Sequence, residues 1–119
     1  MKAKEQTQAA LTASERWLAV VDSGDYAESW EQASGYLKKV VTREKFVQSL
    51  EAVLGPIGPL VARKVKLSKY RTSLPGAPDG EYVVIQYTSS FESKKKAVET
   101  VTPMLEPDGS WRVSGYYIK

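Results

Sequence analysis

Glu99 is the residue with the most chemistry to offer, because it stands inside a run of β-formers, Val98 to Val101, rather than in a loop. A carboxylate facing the interior there is expensive unless it is paired. Arg63 or Arg112, each on a different predicted strand, could supply a bidentate partner. Glu99 is then an acid presented to a small molecule, one half of a buried structural ion pair, or an ordinary charge at an exposed position. A second candidate set is aromatic: Trp17, Tyr26 and Trp30 could line a pocket facing a sheet, offering two indole N–H groups and a phenol to a ligand. At helical spacing the same three residues also serve as core fillers.

Other chemistry is thin. The chain of 119 residues has no His and no Cys, so it lacks an imidazole base, a His-based relay, a disulfide and a thiolate or histidine metal site. Asp22 and Asp25 stand close to Tyr26, and an acid with a phenol can abstract a proton beside a carbonyl. Both acids flank Gly24, however, where the end of one helix and the N-cap of the next already account for them. No phosphate-cradling loop, nucleophile elbow or metal cluster is present, and no catalytic residue, metal or cofactor is assigned.

The scaffold holding these residues is set by periodicity. Ala10, Ala13, Trp17 and Val20/Val21 recur at helical spacing over about Glu5 to Asp22, and Ser23-Gly-Asp25 stops that helix. Tyr26, Trp30, Ala33 and Leu37 predict a second helix reaching Val40 or Val41. Thr42 is placed to cap a third, carrying Phe46, Leu50 and Val53/Leu54 to the break Gly55-Pro-Ile-Gly-Pro59.

Beyond the break the period falls to 2. Val61, Arg63, Val65, Leu67 and Lys69 share one face of a strand, with Lys64, Lys66 and Ser68 on the other and Tyr70 grouped with the lysines. Leu74 to Gly80 is turn chemistry, and Glu81–Phe91 is the strongest strand, with Val83, Ile85 and Tyr87 on one face; it belongs at the centre of the sheet. Ser93-Lys-Lys-Lys96 reads as a connector to a strand over Ala97–Leu105. Pro107-Asp-Gly109 is a hairpin turn into Trp111–Ile118, where Trp111, Val113 and Tyr117 share a face.

The expected architecture is α+β: three N-terminal helices packed on a curved four-stranded antiparallel sheet, in one domain spanning 1–119 with 1–8 a flexible tail or helix start. Such a sheet curves around the helix it packs on and leaves a cone-shaped cavity, the natural ligand site. An exposed sheet face rich in Tyr and Val offers a route to a homodimer.

The net charge of +3 is uneven. Residues 1–35 carry three basic and six acidic side chains, residues 36–71 nine and two, and residues 72–119 five and six. The basic middle lacks interleaved stacking residues and any RNA-binding signature, so nucleic acid is not an expected partner. No run approaches the roughly 20 apolar residues of a membrane span, and the first residues lack the apolar core of a signal peptide.

The stretches Trp17 to Trp30, Leu74 to Val84, Glu99 to Thr102 and Trp111 to Tyr116 together resemble a bacterial family known as domain of unknown function 4019, over roughly residues 9 to 118. The resemblance implies a cystatin-like or nuclear-transport-factor-2-like cone, and an exported, periplasmic protein of which this chain is a trimmed mature form. It implies no activity, cofactor or catalytic residue. Phe46 stands where a Trp is common in the family, and Leu54 where an Arg often precedes the Pro-x-Gly turn. The expected function is non-enzymatic binding of a small molecule or protein through the cone or sheet face, at Trp17, Tyr26, Trp30, Arg63, Glu99 and Arg112. A small isomerase or dehydratase using Asp, Glu or Tyr, and a structural dimerisation module, are the alternatives.

Overall fold

The computed structural model describes residues 2–119, with side chains from residue 3 onward. Four helices come first: α1 (Lys2–Asp22), α2 (Tyr26–Glu31), α3 (Gly35–Val40) and α4 (Arg43–Leu54). Four strands complete the chain, β1 (Leu60–Arg71), β2 (Tyr82–Phe91), β3 (Lys94–Leu105) and β4 (Trp111–Ile118), in a sheet of order β1-β2-β3-β4 with every pair antiparallel. The class is α+β, with β2 an interior strand as expected. The segment 1–8 is helical from Lys2; Met1 lies outside the described residues.

Two helices occupy the span predicted as one. Ser34 interrupts it: its backbone is extended, its hydroxyl accepts from the Leu37 amide at 3.1 Å, and its own N–H donates to the Val113 carbonyl at 2.8 Å. A residue that caps one helix while bonded to β4 cannot also continue a helix through itself. The apolar stripe survives the break, since Ala33 and Leu37 are both buried.

The strands depart from simple alternation at irregularities in their ladders. In β1, register shifts fall between Leu60 and Ala62 and between Val65 and Leu67. Arg63 and Val65 therefore oppose Ser89 and Tyr87 on the inner face, whereas Leu67 and Lys69 oppose Gln86 and Val84 on the outer face. Tyr70, opposite Val83, turns inward to the helix layer instead of joining the lysines. An inserted residue moves everything beyond it to the opposite face, and the expected single face from Val61 to Lys69 is thereby overturned. A further shift, between Thr102 and Pro103, alters β4: Val113 pairs with Pro103 but Tyr116 pairs with Val101, so Tyr116 faces inward and Tyr117 is half exposed. Pro103 has no N–H for the ladder, and a bulge is where an interior strand tolerates it. The predicted lysine connector is also corrected: β2 and β3 are joined through Glu92-Ser93 alone, and Lys94–Lys96 are strand residues.

The core lies between the helices and the inner sheet face. Trp17, Leu18 and Val21 of α1 and Phe46, Leu50 and Leu54 of α4 meet Val83, Ile85, Tyr87, Val101 and Val113 in one cluster. Trp17 is its hub on the helical side, with ring centroids 5.3 Å from Tyr116 and 6.3 Å from Phe46. Both contacts are tilted, the arrangement that aromatic quadrupoles favour.

Candidate functional site

The inner-face register brings four strands to one point. Arg63 of β1 lies opposite Ser89 of β2, Tyr87 lies opposite Glu99 of β3, and Tyr116 of β4 stands diagonal to Glu99 on the same face. Glu99 is fully buried, with 1% of its side chain exposed. Arg63 reaches it through Nε to Oε1 at 2.7 Å and Nη2 to Oε2 at 3.1 Å. Ser89 Oγ donates to Oε1 and Tyr116 OH donates to Oε2, both at 2.5 Å. Each carboxylate oxygen thus accepts two hydrogen bonds, which fills the acceptor capacity of the group.

The outer end of the guanidinium is held by α1. Its last residue, Asp22, accepts from Arg63 Nη1 at 2.8 Å and from Nη2 at 3.0 Å. Arg63 is therefore a bridge between two acids, donating twice to each, and the three charges sum to −1. Burial alone would lower the affinity of Arg63 for its proton. The bonds to Asp22 and Glu99, with their charges, outweigh that and hold it above the ordinary arginine value. Tyr116 is held in its neutral form, far above the usual phenol range, by burial first and then by the charge and hydrogen bond of Glu99.

Above this cluster sits a pocket of about 230 Å³. Its floor is Glu99 and Tyr116, and one wall is the end of α1 with Val21 and Asp22, beside Tyr26. The opposite wall is the end of α4 with Leu54, and the turn beyond it as far as Leu60. Gly58 in that turn has φ +76°, and a Cβ there would lie 3.2 Å from Glu92 Cβ, so any other residue would be strained in its backbone and would press on the β2–β3 hairpin.

Of the six residues singled out from sequence, three meet here: Glu99 and Arg63 as a pair, and Tyr26 at the rim. Glu99 is not the exposed charge that one interpretation allowed. Trp17 is a core residue whose Nε1 donates to the Ser29 carbonyl at 2.8 Å, and Trp30 Nε1 donates to the Val41 carbonyl at 2.9 Å. Both indole donors are spent on backbone. Arg112 is not a partner of Glu99: it pairs in register with Met104, five residues along β3, and its Nε donates to Ser110 Oγ at 3.3 Å.

Two members of the cluster, Ser89 and Tyr116, are absent from the site read from sequence, and a third, Asp22, enters it only as a candidate acid explained by the helix end. Asp25 does cap α2, accepting from the Glu28 amide at 3.2 Å, but Asp22 is the anchor of Arg63 and not merely a helix-end residue. The available signal was its position: an acid in the last turn of a helix opposes the macrodipole, which costs about 0.3–1 kcal/mol and asks for a compensating partner. Ser89 was legible from its parity with Tyr87. Tyr116 was not, since the Thr102/Pro103 bulge that turns it inward has no signature beyond the proline itself.

A family model described as a protein of unknown function, DUF4019, matches residues 13–116. The chain belongs to this family. The match contains every member of the Glu99 cluster, from Asp22 to Tyr116, so the cluster lies wholly inside the DUF4019 region. No curated protein matches the chain. Among the described residues of this DUF4019 domain, no three His, Cys, Asp or Glu side chains are grouped to hold a metal ion, and no helix is long and apolar enough to cross a membrane.

Proposed function

We propose that this chain is a non-enzymatic binding domain whose ligand enters the pocket over Glu99. The supporting observation is the saturation of the cluster beneath it. An isomerase or dehydratase needs a buried carboxylate with a lone pair free to take a proton, and all four acceptor sites of Glu99 are engaged within the protein, while each oxygen of the partly exposed Asp22 is tied by one bond to the Arg63 guanidinium. Such a cluster fixes walls and sets a field; its buried acid, Glu99, has no lone pair to spend on bond making. The pocket volume is below the roughly 300–1,000 Å³ of drug-sized sites and above the roughly 150 Å³ that accommodates benzene. The ligand is accordingly small, or is one side chain of a larger partner.

The helices lying on the inner face of a four-stranded antiparallel meander support the cystatin-like or nuclear-transport-factor-2-like cone as part of the same proposal. A periplasmic or otherwise exported location rests on the family resemblance. Fractionation of cells expressing the full-length gene tests it, and recovery of the protein in the cytosolic fraction alone removes it.

An amide-resolved NMR screen of a small-molecule library against the labelled chain tests the binding role. Saturable shifts concentrated on Gly55, Gly58 and Tyr26 are expected. Shifts confined to the outer sheet face, together with a dimer by light scattering at tens of micromolar, would move the function from the pocket to self-association.

A further inference from the structure

The charge around the pocket is one-sided. The chain has seventeen Lys and Arg against fourteen Asp and Glu, yet among the described residues no Lys or Arg lines this pocket, and its carboxylates there are Asp22 and Glu99. Arg63 satisfies those acids from the β1 side and is itself absent from the lining, which leaves the cluster at −1 beneath the cavity. Two of the three helix ends at the pocket add to the field in the same sense, and the opposing start of the six-residue α2 at Tyr26 is already capped by the Asp25 carboxylate. α1, of 21 residues, and α4, of 12, both end at the pocket wall, each presenting the negative end of its dipole. Three aromatic residues, Tyr26, Phe91 and Tyr116, are among the lining, and aromatic side chains attract cations.

We infer that the pocket takes a small organic monocation, an alkyl- or arylalkylammonium group of about seven to ten non-hydrogen atoms, as a free amine or as the end of a longer chain. This deepens the binding role proposed above and rests on it. Asp22, with 28% of its side chain exposed, is the acid the ammonium meets. Glu99, sealed by its four donors, acts through its field. The guanidinium of Arg63 already shows that these two acids accept a planar cation between them. An anionic ligand would meet the same acids and both helix ends with the wrong sign.

The test uses the labelled full chain at low salt and three probes of nearly the same size and shape: phenethylammonium, 2-phenylethanol and phenylacetate. Expected are saturable shifts of the Gly55 and Gly58 amides with phenethylammonium, at least about tenfold tighter than with the alcohol, and none with phenylacetate. Asp22→Asn should weaken the ammonium about tenfold and leave the alcohol unchanged. If the alcohol or the carboxylate shifts those amides as strongly as the ammonium, cation selectivity is wrong while the pocket remains a binding site. If no probe shifts them at tens of millimolar, both the selectivity and the binding role fail. The wild-type comparison decides between these outcomes even if Asp22→Asn does not fold.

Discussion

Replacing Arg63 by Met removes the bridge between Asp22 and Glu99 and leaves the two acids in very different positions. Asp22 is partly exposed and recovers hydration, so its arm of the bridge is worth about 1 kcal/mol or less. Glu99 has 1% of its side chain exposed and keeps only Ser89 and Tyr116, so it becomes a buried charge without a counter-ion. Breaking a buried pair in this way costs about 3–5 kcal/mol. With a urea m-value of about 1–3 kcal/mol/M, the unfolding midpoint should fall by about 2 M. Glu99→Gln alone should also destabilise, because the new amide aims N–H groups at a guanidinium that has no acceptor. Combined, Arg63→Met and Glu99→Gln should be more stable than Arg63→Met alone by at least about 2 kcal/mol, since the neutral amide can use both hydroxyls and no charge is stranded. Urea melts monitored by tryptophan fluorescence report all three variants. A loss below about 1 kcal/mol for Arg63→Met, or a double variant no better than it, would refute the buried-charge reasoning.

Trp17→Ala should cost about 3–5 kcal/mol, lowering the melting temperature by roughly 15 °C, because it empties the aromatic hub and strands the Ser29 carbonyl; calorimetry measures it. Ser34→Ala should cost about 1 kcal/mol through loss of the α3 cap, detectable as a urea midpoint shift with no change in fold. Tyr116→Phe should cost about 1.5–3 kcal/mol for a hydrogen bond to a charged acceptor, with the pocket amides keeping their dispersion. At alkaline pH the sign is set by the raised folded-state values of Tyr116 and Tyr87, each driven first by burial. Their contribution is complete below the unfolded value of 10.0 and is lost as pH rises beyond it. Stability should therefore decline above about pH 10, and less steeply in Tyr116→Phe.

Sequence legibility tracked the regularity of the chain. Helical stripes and the β2 pattern are periodic over whole elements, so α1, α4 and β2 can be read directly. The Arg63–Glu99 pair could be named as an alternative because a charge amid β-formers has few solutions. Lost were the features set by a single residue acting at long range. Ser34 breaks a helix through a bond to Val113, 79 positions away in sequence, which local propensity does not register. The bulges in β1 and at Pro103 each reverse the facing of the residues beyond them, so Leu67, Tyr70, Tyr116 and Tyr117 sit on the sides opposite to those that simple alternation gives. Asp22 was legible as a residue but not in its role, because a local explanation at Gly24 sufficed without the strand that reaches it.

The open sheet has two edges, and both are spoiled for further pairing. At β1 two bulges displace the backbone groups that a new strand would have to meet in sequence, and Lys64, Lys66 and Lys69 are exposed along it. At β4 the Val113 carbonyl is already taken by the Ser34 amide. Regular, unoccupied edges are what template cross-strand aggregation, and neither edge here is regular and unoccupied over its full length. The sheet is thus finite at four strands, and the chain can be concentrated without a ready route to growing by strand addition.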